Sequence, residues 1–202
     1  MDPIPFGPIA PGNITLGLIA GGRASRLGGA DKAWLTRGGV PQVLRWARRF
    51  PGEHGPLLVS ANRDPDRYAV HGLAAVGDRH PDLGPIGGLD ALAQACATPW
   101  LLTLPVDLVG ANDCLVRTLV SKRDVDGAFA RDDDGVQPLV ALWRVDALRA
   151  ACDTAIANGQ AAIHRLQATL RMAEVAFTGF RFGNLNTPDD LRAAGIDPES
   201  PA

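Results

Sequence analysis

Short apolar runs alternate along the chain with longer stretches in which apolar and polar residues mix. Residues 14–20, 57–60, 73–76 and 100–104 form such runs, and each ends at glycine, proline or polar residues. Runs of this length predict strands that are buried on both faces of a parallel sheet. Between the first two runs, a helix is predicted to begin at Pro41, because proline suits a first helical turn. The alternation predicts an α/β fold with a three-layer, Rossmann-like arrangement.

The second half of the chain has a different pattern. Residues 128–130 and 139–143 predict two strands that are joined by the acidic turn 132–135. Strands connected in this way pair antiparallel, so the mostly parallel sheet is expected to have a mixed edge. We interpret the acidic turn as a solvated loop in preference to a metal site, because runs of like charge usually face water.

Helices complete the second half. They are predicted over residues 145–157 and 161–170, on either side of an asparagine and glycine pair. A last helix is predicted to start with Thr187 as its cap and Pro188 in its first turn, and Gly195 is expected to end it.

Length and charge limit the possible classes of protein. The chain has 202 residues, of which 46% are hydrophobic, and its formal net charge is −2 with a pI near 6.0. These values favour a single domain over residues 13–195, between a flexible proline-rich arm at 1–12 and a flexible tail at 196–202. The weak negative charge gives no general attraction to nucleic acid or to an anionic membrane surface, so neither is expected as a partner.

The cysteines and the N-terminus indicate a compartment. Cys96, Cys114 and Cys152 are odd in number and far apart, which favours buried thiols in a reducing cytosol. The first residues lack the basic start and apolar run of a signal peptide, and no apolar stretch approaches the roughly 20 residues that span a bilayer. A cytoplasmic location is therefore predicted.

A glycine-rich segment, residues 19–32, follows the first predicted strand. It is not a Walker A loop, because no Gly-Lys-Ser/Thr closes it, and it lacks the glycine order of a dinucleotide fold. Gly21 and Gly22 would let the backbone approach a triphosphate closely and direct N–H groups at its oxygens. Arg26 and Lys32 would add fixed positive charge for phosphoryl transfer. The alternative is a glycine-rich surface loop with solvated cations.

Other polar residues follow the predicted strands at the same edge of the sheet. Asp78 comes after the third strand and Asp107 after the fourth, which is where open α/β sheets bind their ligands. Asp107 is the best candidate ligand for Mg²⁺, a hard cation that is held by few protein carboxylates together with phosphate oxygens.

Five blocks of the sequence resemble one enzyme family in order and separation, from about residue 16 to residue 191. The glycine-rich segment is similar to the signature L-A-G-G-x-x-x-R-M-G-x-x-D-K of the molybdenum cofactor guanylyltransferases. The further blocks are Ser60-Ala61-Asn62-Arg63, Gly84-Pro85-Ile86-Gly87-Gly88, Leu104-Pro105-Val106-Asp107 and Asn184-Leu185-Asn186-Thr187-Pro188-Asp189-Asp190-Leu191. They resemble the family's N-A-N-R, G-P-L-A-G, P-C-D and N-x-N-T-P-E-D-L segments.

The resemblance implies a nucleotidyltransferase fold and a magnesium-dependent reaction. The terminal phosphate of molybdopterin, which carries its metal, would attack the α-phosphorus of GTP, releasing pyrophosphate and forming a guanine dinucleotide cofactor. Molybdoenzymes or their chaperones are the further partners that it suggests.

The resemblance also implies roles for individual residues. Those implied in catalysis are Lys32, Arg26 and Asp107, with Asp107 also as the metal ligand. Those implied in nucleotide binding are Ile19, Ala20, Gly21, Gly22, Lys32, Ser60, Asp78, Gly84, Pro85, Gly88 and Asp107. Those implied in acceptor binding are Asn184 and Asn186. Structural alternatives stay open for several of them: a capped turn for Asp107, an exposed pair for Asp78 and Arg79, and helix capping for the two asparagines.

The chain departs from the family pattern where the base and the acceptor would be chosen. Ser60 replaces the usual asparagine, Val106 replaces cysteine, and Gln160-Ala161-Ala162 follow Gly159 where the family usually has a basic residue. Two alternatives therefore stay open. One is a cytidylyltransferase or a sugar-phosphate nucleotidyltransferase of the same superfamily, and the other is a nucleotide-binding adaptor without catalytic activity.

Overall fold

The structure is a computed structural model that describes residues 7–20 and 31–196. Its strands are β1 Ile14–Ile19, β2 Thr36–Arg37, β3 Val40–Pro41, β4 Leu57–Ser60, β5 Ala74–Val76, β6 Trp100–Pro105, β7 Gly127–Asp132, β8 Gly135–Arg144 and β9 Met172–Ala176. Its α-helices are α1 Gln42–Ala47, α2 Pro65–Val70, α3 Pro85–Ala95, α4 Leu115–Lys122, α5 Val145–Ala157, α6 Ile163–Gln167 and α7 Pro188–Ala193. Single 3-10 turns lie at Pro11–Asn13 and Lys32–Trp34.

Among the described residues, the main sheet has seven strands in the order β5-β4-β1-β6-β8-β7-β9. Strands β5, β4, β1 and β6 are mutually parallel. Strand β8 is antiparallel to its neighbours β6 and β7, and β9 is parallel to β7. The expected mostly parallel sheet with a mixed edge is therefore confirmed.

Helices cover both faces of this sheet. On β6, Leu102 and Leu104 face a cluster that includes apolar residues of α1 and α4, whereas Leu101 faces a second cluster with α3, α5 and α6. The alternation follows from the strand period of two, which sends neighbouring side chains to opposite faces. Burial on both faces explains why β1 is buried along its whole length and reads as a continuous apolar run. The three-layer arrangement is confirmed.

Most predicted elements lie where the pattern placed them. Helix α5 has the predicted bounds, and Thr187 caps α7 in a capping box with Asp190. Helix α6 is shorter than predicted, and α1 begins at Gln42 with Pro41 as its cap. The pattern missed β9, because this five-residue strand is not a continuous buried run: Val175 is buried, whereas its neighbours Glu174 and Ala176 are exposed.

Two expectations about polar and thiol groups were wrong. Cys114 is exposed, whereas Cys96 and Cys152 are buried as expected. Asp132 is not solvated, because it is only 6% exposed and accepts hydrogen bonds across the β7–β8 turn. Residues 7–12 of the expected N-terminal arm and residue 196 of the expected tail lie within the described ranges. The Gly7 carbonyl accepts a hydrogen bond from Arg123.

Within the described ranges, none of the helices has the length and apolar character needed to cross a bilayer.

Candidate active site

The sheet reverses its winding direction between β1 and β6. From β1 the chain first builds β4 and β5 on one side, and it then crosses to β6 on the other side. The two carboxyl ends stay adjacent, because the Val106 amide donates to the Ile19 carbonyl over 3.1 Å. Asp107 follows directly, and its carbonyl accepts a hydrogen bond of 2.8 Å from the Leu185 amide. Reversal points of this kind leave a crevice in which ligands of open α/β sheets bind.

Lys32 reaches this crevice from a 3-10 turn. The preceding residue, Asp31, caps the turn by accepting a 2.9 Å hydrogen bond from the Ala33 amide, and Trp34 anchors it in the core at 2% exposure. Burial raises the pKa of the Asp31 carboxyl, and the hydrogen bond from Ala33 opposes part of this rise. The acidic member of the Asp-Lys pair therefore shapes the turn, and the basic member faces the site.

The Lys32 ammonium joins two parts of the chain that lie far apart in sequence. Its Nζ lies 2.9 Å from Asp107 Oδ2 and 2.8 Å from Asn186 Oδ1. The side chains of Lys32 and Asp107 are 19% and 24% exposed, so the pair is shielded but open to a ligand. A cation that is held between a carboxylate and an amide oxygen is oriented before any substrate binds, which lowers the cost of ordering it.

The C-terminal segment brings Asn186 to this position. Asn184 pairs with Leu108 in an isolated antiparallel bridge, so this segment runs beside the loop that carries Asp107. The amide of Asn186 donates to Asp190 Oδ2 over 3.0 Å, next to the capping box of α7. Hydrogen bonds to Thr187 hold the pKa of Asp190 below its ordinary value, so this carboxylate stays charged as it closes the loop.

Asp78 lies after β5, two strands away from β1. Asn62 holds it twice: Asn62 Nδ2 donates to Asp78 Oδ2 over 2.9 Å, and Asn62 Oδ1 accepts from the Asp78 amide over 2.8 Å. The second carboxylate oxygen, Oδ1, is buried and has no hydrogen-bond partner among the described residues. A buried acceptor without a donor is costly for the protein alone, so a donor on a ligand would relieve that cost.

The segment that enters α3 approaches both Asp78 and Ser60. Gly84 caps this helix with φ 65° and Pro85 begins it. A Cβ atom at Gly88 would lie 2.5 Å from Ser60 Oγ, and one at Gly87 would lie 2.9 Å from Asp78 Oδ2. Glycine at these positions lets α3 pack directly on the carboxyl ends of β4 and β5. Ser60 is fully buried there, and its Oγ has no partner in the described part of the chain.

Several predicted residues lie outside the described ranges, namely Gly21, Gly22 and Arg26 in the glycine-rich segment. Ile19 and Ala20 end β1 beside the crevice, and the Ala20 amide donates to the Ser60 carbonyl over 3.0 Å. The structure thus brings Lys32, Asp107 and Asn186 together, whereas Ser60 and Asp78 form a second group with the start of α3.

Four residues near the second group were assigned no site role from the sequence: Asn62, Arg79, Gly87 and Asp90. Asn62 and Gly87 lie within the blocks that resemble the family, but only their neighbours were selected. Asp90 offered the clearest signal, because it is a lone acid among apolar residues of a buried helix. Arg79 was interpreted as half of a possible exposed pair with Asp78. In the structure it pairs with Asp90 instead.

The fold and the crevice define an α/β nucleotidyltransferase: an open sheet with a lysine and an aspartate at its reversal point. Residues 17–175 match the family described as MobA-like NTP transferase domain. A molybdenum cofactor guanylyltransferase of Cupriavidus taiwanensis is 35% identical over 195 residues, which cover 92% of this chain and 98% of that protein. One from Yersinia pseudotuberculosis serotype O:1b is 31% identical over 182 residues, covering 88% and 93%. The chain therefore belongs to the molybdenum cofactor guanylyltransferase family.

Solved structures share the fold. Molybdopterin-guanine dinucleotide biosynthesis protein A from Archaeoglobus fulgidus superposes with a TM-score of 0.67 at 19% identity, over 90% of this chain and 96% of that one. The 2-C-methyl-D-erythritol 4-phosphate cytidylyltransferase of Thermus thermophilus superposes with a TM-score of 0.62 at 19% identity, over 89% and 96%. The same architecture thus occurs in transferases named for different bases.

Proposed function

We propose that the protein transfers GMP from GTP to the terminal phosphate of the molybdopterin-bound molybdenum cofactor. An oxygen of that phosphate bonds to the α-phosphorus of GTP, and the bond between the α-phosphorus and its bridging oxygen to the β-phosphate breaks. Pyrophosphate leaves, and the product is molybdopterin guanine dinucleotide. Family membership supports this reaction, since the curated relatives carry this activity in their names.

The observation that carries the proposal is the position of Lys32 between Asp107 and Asn186, at 2.9 Å and 2.8 Å. Phosphoryl transfer needs few covalent steps from the protein, because the attacking phosphate oxygen is already anionic. The enzyme mainly positions two anionic substrates and offsets the charge of the leaving group. An ammonium group at the boundary between the nucleotide side and the acceptor side suits both tasks.

The metal is part of the proposal as well. Asp107 presents a partly exposed carboxylate at the crevice, and within the described residues no group of three His, Cys, Asp or Glu side chains could hold an ion by itself. One carboxylate fits Mg²⁺, which is usually held by one or two carboxylates and by substrate phosphates. When bound, the ion would neutralise charge on the phosphates. Asp107 would hold it, and Lys32 would keep that carboxylate oriented.

The remaining residues have roles in binding. Asp78, with its unpartnered oxygen Oδ1, would accept hydrogen bonds from the nucleoside, and the segment from Gly84 to Gly88 would lie beside it. Asn184 and Asn186 would face the acceptor. Gly21, Gly22 and Arg26 would enclose the triphosphate, as the resemblance implies.

We also propose a cytosolic location, which the free thiols of Cys96, Cys114 and Cys152 support. Molybdoenzymes or their chaperones would receive the product there.

The choice of base is tested by measuring pyrophosphate release with each of the four nucleoside triphosphates and Mg²⁺. The acceptors are molybdenum cofactor released from a molybdoenzyme and a panel of sugar phosphates. We expect release with GTP and the molybdenum cofactor. Release with CTP instead would favour a cytidylyltransferase, for which the small, buried Ser60 in place of the family's asparagine is the motivating observation. Tight GTP binding without release under any acceptor would favour the adaptor.

A further inference from the structure

A buried ion pair lies beside the nucleoside group of the site and takes no part in the proposed chemistry. Asp90 on α3 is fully buried at 0% exposure. Arg79 meets it with two parallel hydrogen bonds, Nε to Oδ2 at 2.9 Å and Nη2 to Oδ1 at 2.8 Å. A buried carboxylate is retained only where such a partner compensates for its lost hydration.

The pair fastens the segment after β5 to the first turns of α3. Gly87 and Asp90 are three residues apart on the helix, so they lie on the same face. The Asp78 carboxylate lies against Gly87, and the neighbouring Arg79 binds Asp90. Two consecutive residues of the segment therefore contact two consecutive turns of one helix face.

Asn62 holds the other side of Asp78, through the carboxylate and the backbone amide. Asn62 thus holds the Asp78 side chain directly, and the next residue, Arg79, fastens the chain to Asp90 of α3. The Asp78 oxygen Oδ1 is buried and has no hydrogen-bond partner among the described residues. We propose that Arg79 and Asp90 are positioning residues that hold Asp78 in the orientation needed to accept hydrogen bonds from the bound nucleoside. This inference rests on the proposed function in one respect, namely that Asp78 contacts the nucleotide.

The geometry of the fork matters more than its charge. The third contact of Arg79, with Asp153 at 3.4 Å, involves a side chain that is 65% exposed, and exposed pairs contribute little. The buried partner, Asp90, receives two parallel donors of the Arg79 guanidinium at 2.9 Å and 2.8 Å. Lysine at position 79 would keep a positive charge but lose the paired geometry.

The test is a double-mutant cycle that measures the dissociation constant of Mg²⁺-GTP by calorimetry on the full chain. Arg79→Ala is expected to raise this constant about 10-fold. In an Asp78→Ala background the same change should have less than about a 2-fold effect, because the contact through which Arg79 acts is gone. Arg79→Lys should fall between wild type and Arg79→Ala.

A matched control is available on the far edge of the sheet. Arg131 pairs with Glu174 through two donors and has the same 44% side-chain exposure as Arg79. Arg131→Ala should leave the dissociation constant unchanged. If Arg79→Ala does not fold, the double variant Arg79→Met with Asp90→Leu replaces the ion pair with apolar groups, which is often neutral for stability. Its dissociation constant should still rise.

A folded Arg79→Ala protein with the wild-type dissociation constant would overturn the inference. Equal effects of Arg79→Ala with and without Asp78 would overturn it too, since a purely structural role adds independently. Failure of the proposed function gives a different result, namely no pyrophosphate release with GTP and the acceptor. Should the wild type bind another triphosphate, the cycle is measured with that nucleotide, and non-additivity there supports the positioning role.

Discussion

Two aspartates, Asp107 and Asp132, lie at or just beyond the end of a strand and have different surroundings. Asp107 follows β6, is 24% exposed and receives one charged donor, the Lys32 ammonium. Asp132 ends β7, is 6% exposed and lies among four donors. These donors are the backbone amides of Asp134, Gly135 and Phe182 and the side-chain amide of Gln137.

The difference separates a carboxylate that can do chemistry from one that holds structure. Burial by itself would raise the pKa of Asp132, but its hydrogen bonds outweigh burial and lower that pKa. Both of its carboxylate oxygens accept hydrogen bonds from the protein, three on Oδ1 and one on Oδ2. Asp107 keeps capacity for a cation or a phosphate-bound water, because among the described residues only Lys32 donates to its carboxylate oxygens.

The largest expected effect tests the chemical side of this comparison. Asp107→Asn keeps the shape of the side chain and removes its charge, so turnover should fall by about 10²-fold or more. The free energy of unfolding should change by less than about 1 kcal/mol, because the ion pair is partly exposed. Steady-state kinetics and urea unfolding measure the two. Asp113→Asn, which breaks the exposed pair with Arg49, is the control. Turnover near wild type would refute the role of Asp107.

Lys32→Ala should lower turnover by a similar factor, about 10²-fold, because the ammonium that faces the phosphates is lost. If Lys32 and Asp107 act as one unit, the double variant should be little slower than either single variant. Single-turnover kinetics with saturating GTP measures this. Multiplication of the two losses would show that the pair seen at 2.9 Å does not work as a unit.

Asp132→Ala tests the structural side. It removes the acceptor for four donors, three of them backbone amides, so the free energy of unfolding should fall by about 2–3 kcal/mol. Turnover of the folded protein should stay within about 2-fold of wild type. Asp134→Ala, next along the turn and 48% exposed, should cost less than about 0.5 kcal/mol in urea unfolding. A large loss of turnover in folded Asp132→Ala would reverse the assignment.

The pH dependence of the free energy of unfolding tests whether the charged form of Asp132 stabilises the fold. The folded-state pKa of Asp132 is lower than its unfolded value, so its stabilising contribution is present above the unfolded pKa of about 3.9. That contribution is lost as the pH falls through the folded pKa. The stability difference between wild type and Asp132→Asn should therefore be constant near neutral pH and shrink below about pH 4. Urea unfolding from pH 7 to pH 3 measures it. A difference that is independent of pH would contradict the charged state.

The smallest effect concerns Asp78, which lies between the two extremes: residues that the structure describes donate to its oxygen Oδ2 and not to Oδ1. In Gly87→Ala the new Cβ would lie 2.9 Å from Asp78 Oδ2, so the carboxylate must shift by a few tenths of an ångström. The KM for GTP should rise about 3-fold with kcat unchanged, because ground-state binding is affected. Gly110→Ala meets no atom within 4 Å and serves as the control. An unchanged KM would show that GTP binding does not depend on the exact position of the Asp78 carboxylate.

The strand pattern predicted the fold well because burial on both faces leaves a strong signal in sequence. β1, β4 and β6 lie between two helical layers, so they read as apolar runs. Strand β9 lies at the edge, where one face meets water, and its weak pattern was not recognised. The Thr187 cap was predictable because a capping box is a local interaction.

The site was predicted in parts. Residue type and position after a strand indicated Lys32, Asp78 and Asp107, since parallel strands end at one edge. The partners of these residues were not predictable, because Lys32 contacts residues that lie 75 and 154 positions away. Asp132 was misread for the same reason: its donor Phe182 is 50 positions away.

By itself, then, the sequence determined the layers of the fold, the cap of α7 and the residue types at the carboxyl edge of the sheet, because these depend on local periodicity and local hydrogen bonds. Only the tertiary structure decided which carboxylate accepts hydrogen bonds from the protein and which can still bind a ligand. That decision depends on donors that long-range packing delivers: Lys32 to Asp107, Arg79 to Asp90, and the Phe182 amide to Asp132. Solvent exclusion around each group then sets whether its charge supports structure or chemistry.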